Sequence, residues 1–456
     1  MHALPTATII VLNWNGRSFL EACLDALLDQ THKPDQIILV DNGSTDGSLE
    51  LVQAHYPAVE IQENGINLGY AKGVNNALRN LSSEVGVLVN PDIVVSRDWL
   101  EMLLGAISAD KAAGIAGFKL LFPGEEELNQ NGVDPRGQKL QYAGGFITHP
   151  RAMPHHRSMY ARDEGQFNTP AGVDFVNGAA LAVRRDTIET SGLLDEGFFM
   201  YFEDADWCAR ARREGFRVLY VPEATAIHDE SATAVRDSPS YLRYFHTGRW
   251  RYLLKHFNVS EIIEKTLAAE AAWMGKIEGN ERQALGWAYR TTLDAFPEIM
   301  KTRLTHGAEA ITTADQAAIR AGLLDLRQEA MLWAKNPADW QRLEEAGRIE
   351  SQPFSSTTPL LGPLFARLRD IWAGVSTKYY ISGLNEQQNA FNQAFIEELQ
   401  AIEERLRAFE DKRMKQEADQ RDLSWEIKTV QQELNKTYRL IARIESRLDK
   451  SAKGND

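Results

Sequence analysis

Short apolar runs alternate with helical periodicity along the first 125 residues. Thr8–Leu12, Gln36–Val40, Val85–Val89 and Ile115–Leu121 read as buried strands, with a shorter one around Val59–Gln62. Between them, Arg17–Asp29 places Leu20, Cys23, Leu24, Leu27 and Leu28 on one helical face. Further helices are expected near Ser48–His55, over Gly69–Leu81 and over Arg97–Ser108. Strands separated by helices of this length predict a parallel sheet with helices on both faces, an α/β class. Residues 122–170, rich in Gly, Pro, His and Asn, read as long loops or hairpins. Regular patterning returns at Phe175–Val183, in a helix over Asp204–Arg213 and in a strand over Arg217–Val221.

From Tyr241 onward the pattern is almost wholly helical, and Ser351–Pro359 is the linker candidate within it. Leu361, Leu364, Phe365, Leu368, Ile371, Trp372 and Val375 share one face, read as core packing or as an interfacial helix. Near the end a heptad seam runs through Phe395, Leu399, Ile402, Leu406 and Phe409. It resumes in phase at Leu423, Ile427, Val430, Leu434, Ile441, Ile444 and Leu448. Arg413, Gln416 and Gln420 occupy the seam between the two halves, and Thr437 adds a further polar position. The expectation is a coiled coil that makes the protein a homo-oligomer, against one long helix folded back on the bundle. The domain plan is therefore 1–257 α/β, 258–384 helical, 385–450 coiled coil and 451–456 a disordered tail.

Charge and cysteine content narrow the function. A net charge of −14 argues against a general nucleic-acid binder. Two distant cysteines, Cys23 and Cys208, make no disulfide framework and fit a reducing cytoplasm. The N-terminal apolar run is too short for a signal peptide, and no window reaches the ~18 apolar residues of a membrane span. The expected location is the cytoplasm or the inner face of a membrane. Tyr241–Phe257 bears on this, because it mixes aromatics with Arg243, Arg249, Arg251 and Lys255. It reads either as a contact with a membrane surface or lipid diphosphate, or as a helix packed on the α/β domain.

Polar islands fall where predicted strands end: Asn13-Trp14-Asn15-Gly16, Asp41 through Gly47, and Asn90-Pro91-Asp92, with Phe202-Glu203-Asp204-Ala205-Asp206 opening a helix. Each alone reads as a turn or a helix cap. Several at the C-terminal ends of one sheet, where α/β folds bind ligands, read as a site.

Together with Asn64-Gly65-Ile66-Asn67-Leu68-Gly69-Tyr70 and Val176-Asn177-Gly178-Ala179, these islands resemble family 2 glycosyltransferases of the GT-A fold. The resemblance, over about residues 6–257, is closest to the rhamnosyltransferase-like and galactofuranosyltransferase-like bacterial members. It implies an inverting transfer from a nucleotide-sugar donor to a glycan or lipid-linked acceptor, in surface polysaccharide synthesis. It implies a nucleotide-sugar pocket at Asn13, Asn15, Asp41, Asn67, Gly69 and Asn90, with Asp41 on the nucleobase and Asp46 ordering its own turn. Asn90-Pro91-Asp92 stands where the family has Asp-x-Asp, so Asp92, with His228, would hold Mg²⁺ or Mn²⁺. Asp204 would be the general base and Glu203 its helper, whereas Asp206 and Arg210 are spaced as a structural ion pair. A nucleotidyltransferase of similar topology would want a glycine-rich basic loop near the first strand, where Arg17 stands alone. A degenerate transferase serving as a coiled-coil scaffold would not need Asp41, Asp92 and Asp204 together.

Overall fold

A computed structural model describes residues 3–123, 139–229, 238–305 and 309–332. The expected linker, the Leu361–Val375 face, the coiled coil and the tail lie outside these residues, as does 124–138 of the expected loop region.

The alternating pattern becomes β1 (Ala7–Asn13), α1 (Arg17–Leu28), β2 (Gln36–Asp41), α2 (Ser48–His55), β3 (Glu60–Glu63), α3 (Tyr70–Leu78), β4 (Val85–Val89), β5 (Ile93–Val95), α4 (Trp99–Ala109) and β6 (Ala113–Leu121). Next come β7 (Leu140–Tyr142), the hairpin β8 (Gly145–Thr148) and β9 (Met153–His156), β10 (Ala171–Gly172), β11 (Ala180–Arg184), α5 (Arg185–Ser191), α6 (Glu203–Arg213) and β12 (Arg217–His228). Helices follow: α7 (Pro239–His256), α8 (Val259–Glu261), α9 (Leu267–Met274), α10 (Gly279–Thr305) and α11 (Thr313–Leu332).

The main sheet runs β10-β12-β6-β11-β4-β1-β2-β3, with β5 joined to β12 and β7 to β6. β3, β2, β1 and β4 are parallel, and so are β6 and β12. β4 and β6 are buried along their whole length, as strands covered on both faces must be. This is the GT-A architecture that the resemblance implies, with one correction to the periodicity reading: the sheet is mixed. β11 lies antiparallel between β4 and β6, because β-strand pattern alone carries no direction.

A second correction matters more for the site. The strand expected to stop at Val221 continues to His228, past a register shift between Val221 and Thr225. Pro222 and Glu223 sit at that bulge and break the alternation that would have revealed the extension. The added length pairs antiparallel with β5, setting His228 opposite Ile93.

Helices α7 to α11 pack into the same compact unit as the sheet, Met1–Trp333, so the change to helical pattern near 257 is not the end of that unit. Among the described residues, no helix is long and apolar enough to cross a membrane.

Candidate active site

Parallel pairing of β1 with β2 puts Asn13 beside Asp41 at the C-terminal edge. Asn13 is fully buried, and its Nδ2 donates to Asp41 Oδ1 at 3.2 Å and to Ser44 Oγ at 3.0 Å. The other Asp41 oxygen accepts from the Gly43 and Ser44 amides at 3.0 and 2.9 Å. Asn15, exposed with φ of 53°, accepts from the Thr45 amide at 2.8 Å, while its own amide donates to Ser44 Oγ. Asp46 accepts from the Arg17 and Ser48 amides, joining the starts of α1 and α2.

The third loop at this edge hangs on Asn42. Its Nδ2 reaches Asn67 Oδ1 and the Gly69 carbonyl, and its Oδ1 accepts from Asn64 Nδ2 and the Leu68 amide. Asn13, Asn15, Asp41 and Asn67 thus meet in one interlocked rim, with side chains engaged in shaping loops. Gly69 has φ of 78°, and a Cβ there would lie 2.4 Å from the Phe199 carbonyl oxygen. Packing against the backbone of residue 199 therefore requires glycine here.

The second cluster lies after β4. Asp92 is buried, its Oδ1 has no hydrogen-bond partner, and His228 Nε2 stands 3.5 Å away. His228 Nδ1 is 2.6 Å from Gln141 Oε1, an acceptor, so that nitrogen carries the proton. In the neutral ring Nε2 then turns its lone pair toward the carboxylate oxygen. Two acceptors facing one another, with a Gln fixing the tautomer, fit a cation between them. Among the described residues, no group of three or more His, Cys, Asp or Glu could hold a metal. A cation here would complete its shell with water or ligand oxygens, as Mg²⁺ and Mn²⁺ commonly do.

Asp204 and Glu203 open α6. Tyr201 and Phe202 before them both have positive φ, 68° and 70°, an arrangement costly for aromatic residues and held by surrounding structure. Phe202 packs against Phe245 and Tyr252, and Tyr201 against Tyr241, all on α7. Asp204 Oδ2 accepts from the Gly178 amide and Oδ1 from the Ala205 amide, each at 2.7 Å. Burial pushes the Asp204 carboxyl up from 3.8 to about 6, against the pull of those two amides. Burial also pushes Glu203 well above its ordinary value, and the Asp204 charge adds to it. Both effects favour the neutral form of Glu203 beside Asp204, and its Oε2 is buried without a partner.

These clusters adjoin. A Cβ on Gly16 would lie 3.1 Å from the Pro91 ring, so the loop after β1 rests on Asn90-Pro91-Asp92. The Asn90 amide donates to the Ala179 carbonyl at 2.7 Å, next to the Gly178 that holds Asp204.

Behind Asp204, Asp206 is fully buried. The expected pair with Arg210 is present at 2.8 Å, and Lys255 Nζ and His256 Nε2 join at 2.5 and 2.7 Å. Burial raises the Asp206 carboxyl, but Lys255, Arg210 and His256 outweigh it and hold it well below the usual carboxylate range. Lys255 and Arg251 both pair with Asp195, and Arg251 continues to Glu298; Arg249 pairs with the buried Glu270. This decides the reading of Tyr241–Phe257. Arg249, Arg251 and Lys255 are buried in ion pairs and cannot face a membrane, whereas Arg243 lies over the exposed Trp287 ring. The stretch is a packed helix.

Sequence reasoning missed Asn42, Tyr70 and Gln141 as parts of the site. Asn42 and Tyr70 sat inside motifs already quoted, but Gln141 belongs to a region without a legible pattern.

Residues 8–191 match the model of the family described as glycosyl transferase family 2. The chain is similar to an N-acetylglucosaminyl-diphospho-decaprenol L-rhamnosyltransferase of Mycobacterium tuberculosis, 28% identical over 260 residues, 54% of this chain and 83% of that protein. It is also similar to the low-salt glycan biosynthesis hexosyltransferase Agl10 of Haloferax volcanii, 24% identical, covering 58% of this chain and 79% of that one. The O-antigen chain rhamnosyltransferase WbaN of Salmonella anatum is 23% identical, covering 54% and 72% respectively.

Proposed function

We propose that this glycosyltransferase, whose residues 8–191 match the model of glycosyl transferase family 2, inverts the sugar it transfers. The donor is a nucleoside-diphosphate sugar, the acceptor a hydroxyl on a lipid-diphosphate-linked glycan, and the product a surface polysaccharide. The acceptor class rests on similarity to a rhamnosyltransferase named for a diphospho-decaprenol substrate. The observation that carries the mechanism is Asp204, a carboxylate oriented by two amides and raised by burial to about 6. Ionised near neutrality yet more basic than an exposed Asp, it suits removal of the acceptor hydroxyl's proton as that oxygen attacks the anomeric carbon.

The remaining residues bind and orient. Asn13, Asn15, Asp41 and Asn67 shape the rim that receives the nucleotide, with the second lone pair of Asp41 Oδ1 available to a base N–H. Asn90 borders the sugar, between this rim and Gly178. Asp92 and His228 would hold Mg²⁺ or Mn²⁺, which when bound supplies positive charge to the departing diphosphate. Neutral Glu203 withholds a second negative charge from the base and so keeps Asp204 able to ionise.

Two variants test the reading. Asp204→Asn should abolish transfer and leave donor affinity nearly unchanged, since a base acts in the transition state. Turnover above about a tenth of wild type would remove Asp204 from the role, general bases contributing ~10²–10⁴-fold. Asp92→Ala should weaken donor binding and turnover together, and full activity in EDTA would exclude the divalent ion.

A further inference from the structure

We propose that Tyr70 is a positioning residue that links the donor-binding rim to the base, an inference that rests on Asp204 acting as that base. Tyr70 is the first residue of α3 and directly follows the rim's last loop. Its backbone is fixed on one side by Gly69, whose amide donates to Asn67 Oδ1 and whose carbonyl accepts from Asn42. On the other side its own amide donates to the Phe199 carbonyl at 2.7 Å, in the segment that leads into Glu203 and Asp204. Its hydroxyl donates to the Gly178 carbonyl. Gly178 in turn gives its amide to Asp204 Oδ2 at 2.7 Å, and a Cβ on Gly178 would stand 3.2 Å from that same oxygen.

The chain of contacts therefore runs from Asn42 and Asn67, through one tyrosine, to the peptide that aims the base. Holding the Gly178 carbonyl fixes the orientation of residue 178 and hence the direction of its amide. That amide occupies Oδ2, and the Ala205 amide takes Oδ1 along one direction. The lone pairs left for an acceptor proton are thereby defined. A side chain that only filled space between α3 and β11 would not need its hydroxyl, and phenylalanine would serve as well.

The groups that bear on Asp204 are Glu203 and Cys208 on its own helix, Tyr70 on α3 and Tyr142 on β7. None of these is cationic, so amide hydrogen bonds are what favour the carboxylate form. Loosening the Gly178 amide should raise the Asp204 carboxyl further.

The experiment compares wild type, Tyr70→Phe and Asp204→Asn for kcat, donor KM, the acid limb of kcat/KM and melting temperature. Tyr70→Phe should lower kcat about 3- to 10-fold, the rate equivalent of one hydrogen bond, with donor KM within about twofold. Its acid limb should move upward by about half a unit from a wild-type limb near 6. Gly178→Ala, which crowds the same oxygen, should shift the limb in the same direction. An inactive Asp204→Asn beside a Tyr70→Phe enzyme with unchanged kcat and unchanged limb would overturn the positioning role and leave the base assignment standing. An Asp204→Asn enzyme that still turns over would remove the base assignment first. A Tyr70→Phe enzyme that only melts earlier, with kcat and limb unmoved, would make the hydroxyl structural and overturn the proposal.

Discussion

Replacing Asp204 with Asn should make the protein more stable as well as inactive. Folding carries this carboxyl from 3.8 to about 6, which means the folded state disfavours its charge by about 2 pH units. At 1.36 kcal/mol per unit the ionised group costs about 3 kcal/mol at neutral pH. Asparagine keeps an acceptor for the Gly178 amide but turns an NH₂ toward the Ala205 amide, so the net gain falls in the range of about 1–3 kcal/mol. The pH dependence has a definite sign. A raised carboxyl favours the folded state while protonated, and that advantage is lost as pH rises through the folded value. The stability gap between variant and wild type should therefore be near zero at about pH 4, open between about 4 and 6, and stay constant above. Urea unfolding at pH 4.5, 5.5 and 7.5 measures it directly, and melting should rise by about 2–4 °C at pH 7.5. A gap that did not change with pH, or a variant less stable than wild type at pH 7.5, would refute the claim that burial strains this group.

Other expectations follow from single contacts. Lys255→Met removes a buried cation from both Asp206 and Asp195; with Arg210, His256 and Arg251 remaining, it should cost about 3 kcal/mol by denaturant titration. A loss under about 1 kcal/mol would show the network to be self-sufficient without it. Gly69→Ala forces a Cβ to 2.4 Å from the Phe199 carbonyl at a positive φ. It should lower both stability and donor affinity, and unchanged calorimetric binding would separate this loop from the donor. His228→Gln should raise the Mn²⁺ concentration for half-maximal activity about 10- to 100-fold, with kcat largely recovered at saturation. Indifference to the substitution would leave His228 a structural partner of Gln141.

The legibility of this molecule follows the range of the physics involved. Strand runs and amphipathic helices are local, and residues such as Leu20, Cys23, Leu24 and Leu27 fell on the buried face that periodicity assigned them. The order of strands is not local. The inserted antiparallel β11 and the continuation of β12 beyond Pro222 are fixed by pairing partners far away in sequence. Strand extension nevertheless brought together Asp92 and His228, which had been joined only by the family resemblance. The roles inside the rim were less readable, because Asn13, Asn15 and Asn67 look alike on paper whether they touch a ligand or a loop. Their hydrogen bonds to Asp41, Thr45 and Gly69 became visible only with the loops in place. Tyr70 was illegible for a related reason: its hydroxyl partner is a carbonyl 108 residues away.

The ion-pair cluster behind α6 has a consequence for the order in which the protein is made. By the time residue 228 has left the ribosome, every residue proposed for the chemistry has been synthesised. Asp206 would then have only Arg210 as its cation, since Lys255 and the donating ring of His256 belong to the end of α7. Arg251, which binds Asp195 beside them, is itself completed by Glu298. An emerging chain that closed around α6 early would bury an under-compensated charge, so the catalytic helix should settle only when α7 and α10 arrive. The shortest functional nascent chain is therefore set by the cations of α7 and by the Glu298 that completes Arg251, well after the last residue that meets substrate.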